Sequence, residues 1–469
     1  MNQYSRNPSF AFRWSVLIFV SLAMFGNYYV YDSISPLADL LARQLGFSDS
    51  NIGTLNAIYS VPNIFMVLIG GIIIDRIGTR KSALLFSMLC LAGAVITSLS
   101  PKLWLMATGR LIFGLGAESL IVAVTTVLAR WFKGKELSFA FGLNLTIARL
   151  GTFSALNSPT WARGYYGDWQ GPLLISVVAA FVSVISVIIY IFLDLNAEKR
   201  FTMRKEGNVD KIDFRGIFKF NRSFWFITLL CVTFYSAIFP FQTFAVKFFI
   251  QEHLIGIPED IARSMGGFLS SLLILATMIL TPLFGLLADK IGKRSLLMMV
   301  GSIILIPVYL ILVYVKLEVT IPPDVIAVVT ASSEGGSNLA YFYDMIKILL
   351  IYFPNLVIPM GVMGLSFSLI PAVMWPSVAY IVKEERLGTA YGLMTMIQNI
   401  GLAGFNFLIG FVNDFSQGYT AGMWIFSSLG LFGLLFAALL RRQETGPGGH
   451  GLELSMAAFQ KKTIQSNPQ

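Results

Sequence analysis

Long apolar stretches alternate with short polar ones along almost the whole chain. Apolar runs lie near 13–34, 52–74, 81–100, 104–130, 137–159 and 171–194, and six more near 223–250, 263–288, 295–315, 346–381, 388–412 and 421–441. Each is long enough for a helix to cross the hydrocarbon core of a bilayer, about 30 Å thick. The pattern predicts an all-α membrane protein with twelve transmembrane helices. Between the two sets of six lies 195–222, with Glu198, Lys199, Arg200, Arg204, Lys205, Asp210, Lys211, Arg215 and Lys219. That stretch is too charged to bury and reads as a cytosolic linker. The chain therefore divides into a first half at 1–194, the linker, a second half at 223–441, and a polar, Gly-rich tail at 442–469 expected to be disordered.

The two halves repeat one another. Gly71-Ile-Ile-Ile-Asp75-Arg76-Ile-Gly78-Thr-Arg80 follows the second apolar run, and Gly285-Leu-Leu-Ala-Asp289-Lys290-Ile-Gly292-Lys-Arg294 follows the eighth. Glycine, acid, base, glycine and base keep their spacing in both. A second echo pairs Ala140-Phe-Gly142-Leu143 through Arg149-Leu-Gly151 with Ala390-Tyr-Gly392-Leu393 through Asn399-Ile-Gly401. The fifth span thus corresponds to the eleventh and the fourth to the tenth. An outer loop at about 316–345 absorbs the difference in spacing. Two six-helix halves in parallel repeat are a transporter architecture.

Composition and charge sharpen this. The chain of 469 residues is 56% hydrophobic and 13% charged, about half the charge of a soluble protein. The net charge of +9 does not point to nucleic acid, because the bases sit in short clusters between apolar runs. With the N-terminus inside, about 25 of the 34 Lys and Arg fall on the cytosolic side, which predicts an N-in, C-in topology. Cys90 and Cys231 lie within spans, and His253 and His450 lie outside spans or near their ends. No metal cluster, cofactor or nucleophile–base pair is expected, and an enzyme is not.

The charges that do enter the spans are the candidate chemistry. The repeated loops need Gly78 and Gly292 where the chain reverses, and Gly71 and Gly285 are expected to let helices approach closely. Asp75, Arg76, Arg80, Asp289, Lys290 and Arg294 form either a topology signal with a structural ion pair or a latch that breaks between conformations. In the fourth span, Arg110 precedes Gly114 and Gly116, small residues that admit a neighbouring helix. Glu118 lies near the middle of that span, and Arg149 near the middle of the next. A buried charge must be paired or wet. The two are thus a structural ion pair or the two poles of a substrate site, Arg149 for a carboxylate and Glu118 for an ammonium. The second half offers Ser368 and Asn399 at the corresponding places, with Tyr235 and Trp375 as aromatic candidates and Tyr31 beside Asp32 in the first span. Lys247 is expected to snorkel outward, and prolines 354, 359, 371 and 376 to make the tenth span a bending helix.

The two loops and the Arg110–Gly114–Gly116 run resemble signatures of the major facilitator superfamily. A closer resemblance is carried by Trp131-Phe-Lys133-Gly134-Lys135-Glu136, by Phe141 through Gly151, by Gly364-Leu-Ser366-Phe-Ser368, by Trp375-Pro376 through Tyr380, by Leu387 through Leu402, and by Tyr31-Asp32. These are similar to the lysosomal dipeptide uniporter branch of that superfamily. The resemblance implies the major facilitator fold and a dipeptide recognised by its ends, with Glu118 for the amine and Arg149 for the carboxylate. The chain departs from that branch in its short N-terminus without an acidic dileucine signal, in outer loops without an Asn-x-Ser/Thr acceptor, and in the 316–345 loop.

The expectation is an alternating-access transporter of small zwitterions, dipeptides first, working by uniport or with proton linkage. Its partners are the substrate and the lipid bilayer. It is expected to be a monomer with no accessory subunit indicated, in the cytoplasmic membrane of a prokaryote or the lysosomal membrane of a eukaryote. An organic-anion porter using Arg149 and Arg110, and a non-transporting receptor or scaffold built on the outer loop, are the alternatives.

Overall fold

A computed structural model of the chain describes residues 9–132, 136–200, 220–316, 321–335, 337–383, 386–455 and 458. The sequence features at 1–8, 133–135 and 201–219, and the tail from 459, lie outside the described residues. In chain order the helices are α1 (Phe10–Asp32), α2 (Ala38–Leu45), α3 (Asp49–Ile77), α4 (Thr79–Ser98), α5 (Leu103–Phe132), α6 (Leu137–Leu156), α7 (Ser158–Trp161) and α8 (Gln170–Arg200). The second half adds α9 (Arg222–Glu252), α10 (Glu259–Ile291), α11 (Arg294–Tyr314), α12 (Pro323–Gly335), α13 (Asn338–Tyr352), α14 (Pro354–Ile381), α15 (Leu387–Ser416) and α16 (Thr420–Glu444). Twelve of these are long and apolar enough to cross a membrane. The four shorter ones are α2, α7, α12 and α13.

The helix limits follow local chemistry. The side chain of Ser9 caps α1 by accepting from the Phe12 amide at 3.3 Å, and Asn221 caps α9 in the same way through Phe224 at 2.9 Å. Each half therefore begins with a capped helix. The outer loop is a helical hairpin, α12 with α13, closed by the Ser332 hydroxyl donating to Asp344 at 2.6 Å. The tenth span starts at Pro354 rather than at 346. Proline lacks an amide and occupies the first helical turn readily, whereas Phe353, at ψ 45°, leaves helical geometry and ends α13.

The chain forms two compact units. The first holds residues up to Phe47, Thr54–Ser158 and Ala162–Val209; the second holds Ser48–Gly53, Pro159–Trp161 and Asp210 onward. In the first unit α1 packs on α6 and α8, while α4 packs on α5 and α8. In the second, α9 packs on α15 and α16, and α11 on α14 and α16. The first, third, fourth, fifth and sixth spans are thus paired as the seventh, ninth, tenth, eleventh and twelfth are. The sequence repeat is a repeat of packing. A Cβ on Gly114 would fall 2.4 Å from the Tyr59 carbonyl of α3, and one on Gly116 2.4 Å from the Phe86 carbonyl of α4. Glycine lets α5 touch the backbone of both neighbours, as the motif predicts.

The signature loops turn on Gly78 (φ +81°) and Gly292 (φ +67°), a conformation costly for any residue with a Cβ. The close approach expected at Gly71 and Gly285 is not found: nothing lies within 4 Å of a Cβ placed on either. The bases of the two loops take different partners. Arg80 pairs with Asp194 and with Glu198 (2.8 Å) near the end of α8, where Arg130 (3.2 Å) and the Trp131 indole (3.0 Å) also meet Asp194. Arg294 donates to Asp289 and to the Tyr380 hydroxyl, both at 2.9 Å. Arg76 and Lys290 are exposed.

Disorder from 442 onward is also corrected for the described part of the tail. Glu444 accepts from Ser223 at 2.6 Å and from the His450 amide at 2.7 Å. The chain then returns to the second signature loop. Lys293 donates its amide to the Glu453 carbonyl at 3.2 Å and Arg294 its amide to the Leu452 carbonyl at 3.3 Å. The Arg294 guanidinium donates to the Leu454 carbonyl at 3.1 Å. The Glu453 carboxylate accepts from the amide and hydroxyl of Ser295 in the first turn of α11, where the helix leaves its amides without internal partners. Leu452 is fully buried, so the Gly-rich composition concealed an apolar anchor and a capping carboxylate.

Candidate functional site

Within the first unit, α5 carries both Arg110 and Glu118, and their surroundings are opposite. Arg110 is 1% exposed. Its guanidinium donates to the carbonyls of Val30 (3.0 Å), Tyr31 (3.1 Å) and Leu55 (3.4 Å), and to the Asn56 side chain (2.8 Å). The rings of Tyr31, Tyr59 and Phe113 lie within 5.4–5.9 Å of its central carbon. Val30 and Tyr31 are at the end of α1, where carbonyls lack intrahelical partners. Arg110 therefore ties the end of α1 to α3, which is a structural role.

Glu118 sits two turns further along α5. Among the described residues no hydrogen bond or ion pair reaches its carboxylate. The direct ion pair with Arg149 considered from the sequence is not formed. Instead the Arg149 guanidinium lies over the ring of Tyr28, 5.7 Å from its centre. The Tyr28 phenol is within electrostatic reach of Arg149, Glu118 and Asp32 together, and Tyr31 and Tyr59 are within reach of Glu118. Two opposite charges therefore stand around one tyrosine. Tyr31 itself packs on Tyr59 (4.7 Å between ring centres).

In the second unit the structure brings together two of the four candidates. The Trp375 indole donates to the Tyr235 hydroxyl at 2.9 Å, and the Tyr391 hydroxyl donates to the Trp375 carbonyl at 3.1 Å. Phe239 stacks on Tyr235 at 5.6 Å, with Phe367 edge-on to Phe239 at 5.9 Å. Asn399 and Ser368 turn inward on their own helices. Asn399 donates to the Thr395 carbonyl at 3.0 Å and Ser368 to the Gly364 carbonyl at 2.7 Å, both from buried positions. Their oxygens still accept, but neither is joined to the aromatic group by a hydrogen bond.

A family model described as Major Facilitator Superfamily matches residues 20–346 and 261–463. The chain belongs to the major facilitator superfamily. It is a multi-pass membrane transporter and not an enzyme. The lysosomal dipeptide transporter MFSD1 of Danio rerio is 32% identical over 460 residues, covering 95% of this chain and 90% of that one. The MFSD1 of Homo sapiens is 30% identical over 468 residues, covering 97% and 90%. Among solved structures, the nucleoside transporter NupG aligns with a TM-score of 0.68 at 13% identity, over 91% of this chain and 98% of that chain. That likeness is one of fold.

Three groups in this superfamily member escape a reading by span and charge. Tyr28 was one of several tyrosines before Asp32, and only packing singles it out as the ring beneath Arg149. Ser60 and Asn63 were hidden in an apolar run, although their spacing with Asn56 is helical. Lys247 does not snorkel. It is buried and paired with Asp49, which also accepts from the Asn413 side chain at 3.0 Å. Asp414 then accepts from the amides of Asp49 (2.9 Å) and Ser50 (2.8 Å), capping α3 from another helix. The Ser48-Asp49-Ser50 cluster was the available signal.

Proposed function

We propose that this transporter carries small zwitterions, dipeptides first among them, by alternating access and facilitated uniport. The observation that carries the reading is the Glu118 carboxylate, unmatched among the described residues and placed in mid-span, with Tyr28 within electrostatic reach of both it and Arg149. A carboxylate at such depth costs several kcal/mol until a cation or a polar ligand meets it. A protonated amine meets it in charge and in hydrogen bonds. Arg149 supplies two parallel N–H groups to a carboxylate. An aromatic face between the poles suits the body of a short peptide. The name of the MFSD1 relatives states the same substrate class and, if the source is eukaryotic, supports placement in the lysosomal membrane. The N-in, C-in topology rests on the distribution of bases. The organic-anion reading is weakened because the Arg110 donors already meet three carbonyls and an amide.

The test is uptake of a labelled dipeptide into proteoliposomes. Arg149→Ala and Glu118→Gln are each expected to reduce uptake at least tenfold, since a hydrogen bond to a charged group contributes about 1.5–3 kcal/mol. An N-acetylated dipeptide should fail to compete. Undiminished uptake in both variants, or equal competition by the acetylated peptide, would overturn the reading.

A further inference from the structure

Helix α3 carries a polar stripe that the two proposed poles do not use. Asn56, Ser60 and Asn63 recur at the spacing of one helix face. Asn56 is engaged by Arg110. Ser60 and Asn63 are 1% and 0% exposed, and among the described residues neither the Ser60 hydroxyl nor either amide atom of Asn63 has a hydrogen-bond partner. Three unmet polar atoms lie within one turn of a transmembrane helix. Each such atom is costly, and that cost needs a reason.

Depth supplies one. Helices α3 and α5 meet at two levels. At the first, a Cβ on Gly114 would touch Tyr59 and Pro62; at the second, one on Gly70 would touch Ser119, whose hydroxyl donates to the Met66 carbonyl at 3.2 Å. Asn63 falls between these levels on α3, and Glu118 falls between them on α5. The unpartnered carboxamide and the unpartnered carboxylate therefore lie within about one helical turn of each other in depth, on adjoining helices.

The chemistry of the stripe differs from that of the poles. Asn63 is neutral and offers one donor group and one acceptor, and Ser60 can act as either. A neutral ligand group carrying its own donor and acceptor matches them, and in a dipeptide that group is the central amide. Building on the dipeptide reading above, we infer that Asn63, assisted by Ser60, is a third point of the substrate site and recognises the amide between the charged ends. A site built to hydrogen-bond a ligand N–H rejects the analogue that lacks it far more strongly than an apolar pocket distinguishes a methylene. Asn63 is thus the residue that separates a dipeptide from an ω-amino acid of equal length.

The test is competition against labelled dipeptide uptake by the same dipeptide and by its ketomethylene isostere, in which CH2 replaces the amide N–H. Wild type should prefer the dipeptide at least tenfold. Asn63→Ala and Asn63→Leu should shrink that preference to less than threefold while still rejecting the N-acetylated dipeptide. Asn63→Leu fills the same space without polar atoms, so the ligand-free variant should melt no lower than wild type, whereas an asparagine needed for folding would give a lower melting temperature. An unchanged preference in both variants, or an equal loss of affinity for both ligands, overturns the role of Asn63 and leaves the two poles standing. Failure of wild type to take up any dipeptide overturns both readings.

Discussion

Arg110 and Arg149 stand on consecutive spans in different surroundings, and the proposed site gives them different purposes. Arg110 places its donors on four oxygens of α1 and α3, and the planar guanidinium fork makes this possible. Lysine, a point charge with a single nitrogen, cannot reach the same set. Arg110→Lys should therefore strand carbonyls at the end of α1 and destabilise the protein by about 1–3 kcal/mol for each unmet buried group. Dipeptide KM should stay near the wild-type value in the fraction that remains folded. Arg149→Lys should do the reverse, raising KM with little effect on melting. Thermal melting read beside uptake kinetics separates the two, and a KM effect as large for Arg110→Lys as for Arg149→Lys would remove the distinction. Both arginines were visible in the sequence as charges within spans, and so was Glu118. The choice between an ion pair and two separate poles was not, because depth along a helix follows from counting residues while azimuth and partners come from packing. Ser368 and Asn399 make the same point. They occupy the repeat positions of Glu118 and Arg149, yet each donates into its own helix.

At the scale of elements, the repeat was legible wherever it was written in side chains with strong local demands. Gly78 and Gly292 adopt positive φ, Gly114 and Gly116 meet neighbouring backbones, and the capped starts of α1 and α9 correspond. What could not be read was the division of labour between the two signature loops. Arg80 draws on acids in α8, whereas Arg294 draws on Asp289, Tyr380 and the C-terminal tail. The tail residue Glu453 supplies to α11 the anionic cap that helix lacks, and Leu452 anchors it. Glu453→Ala should raise amide hydrogen exchange at Lys293, Arg294 and Ser295, whose amides face the tail. It should lower stability by about 0.5–2 kcal/mol, as loss of a cap does. The equivalent exchange around Thr79–Lys81 should not change. Unaltered protection at Ser295 would show that the carboxylate does not hold that turn.

For the whole molecule, one helix belongs to both compact units. Residues 49–53 of α3 group with the second unit, and Thr54 onward with the first. The first turn is held by a buried lysine–aspartate pair, by Asn413, and by Asp414 on its leading amides. Glycines admit the contact: a Cβ on Gly53 would lie 2.3 Å from the Asn406 carbonyl, and one on Gly410 2.4 Å from the Asp49 carbonyl. Hydropathy marked Lys247 as a snorkelling base because it cannot register a partner nearly two hundred residues away in the chain. Removing one member of a buried pair leaves an uncompensated charge, a loss of about 3–5 kcal/mol, whereas replacing both by neutral groups is often tolerated. Asp49→Asn and Lys247→Met should each lower the melting temperature markedly, and the double variant should recover most of the loss. The coupling energy from that double-mutant cycle measures the pair directly. Asp414→Asn should weaken the same turn by a separate route, because it removes charge from the α3 N-terminus without touching Lys247, so its effect should add to that of the neutral double variant. If the double variant is instead as unstable as the sum of the singles, the lysine and aspartate act independently and the hold on residues 49–53 rests on Asp414 and the two glycines.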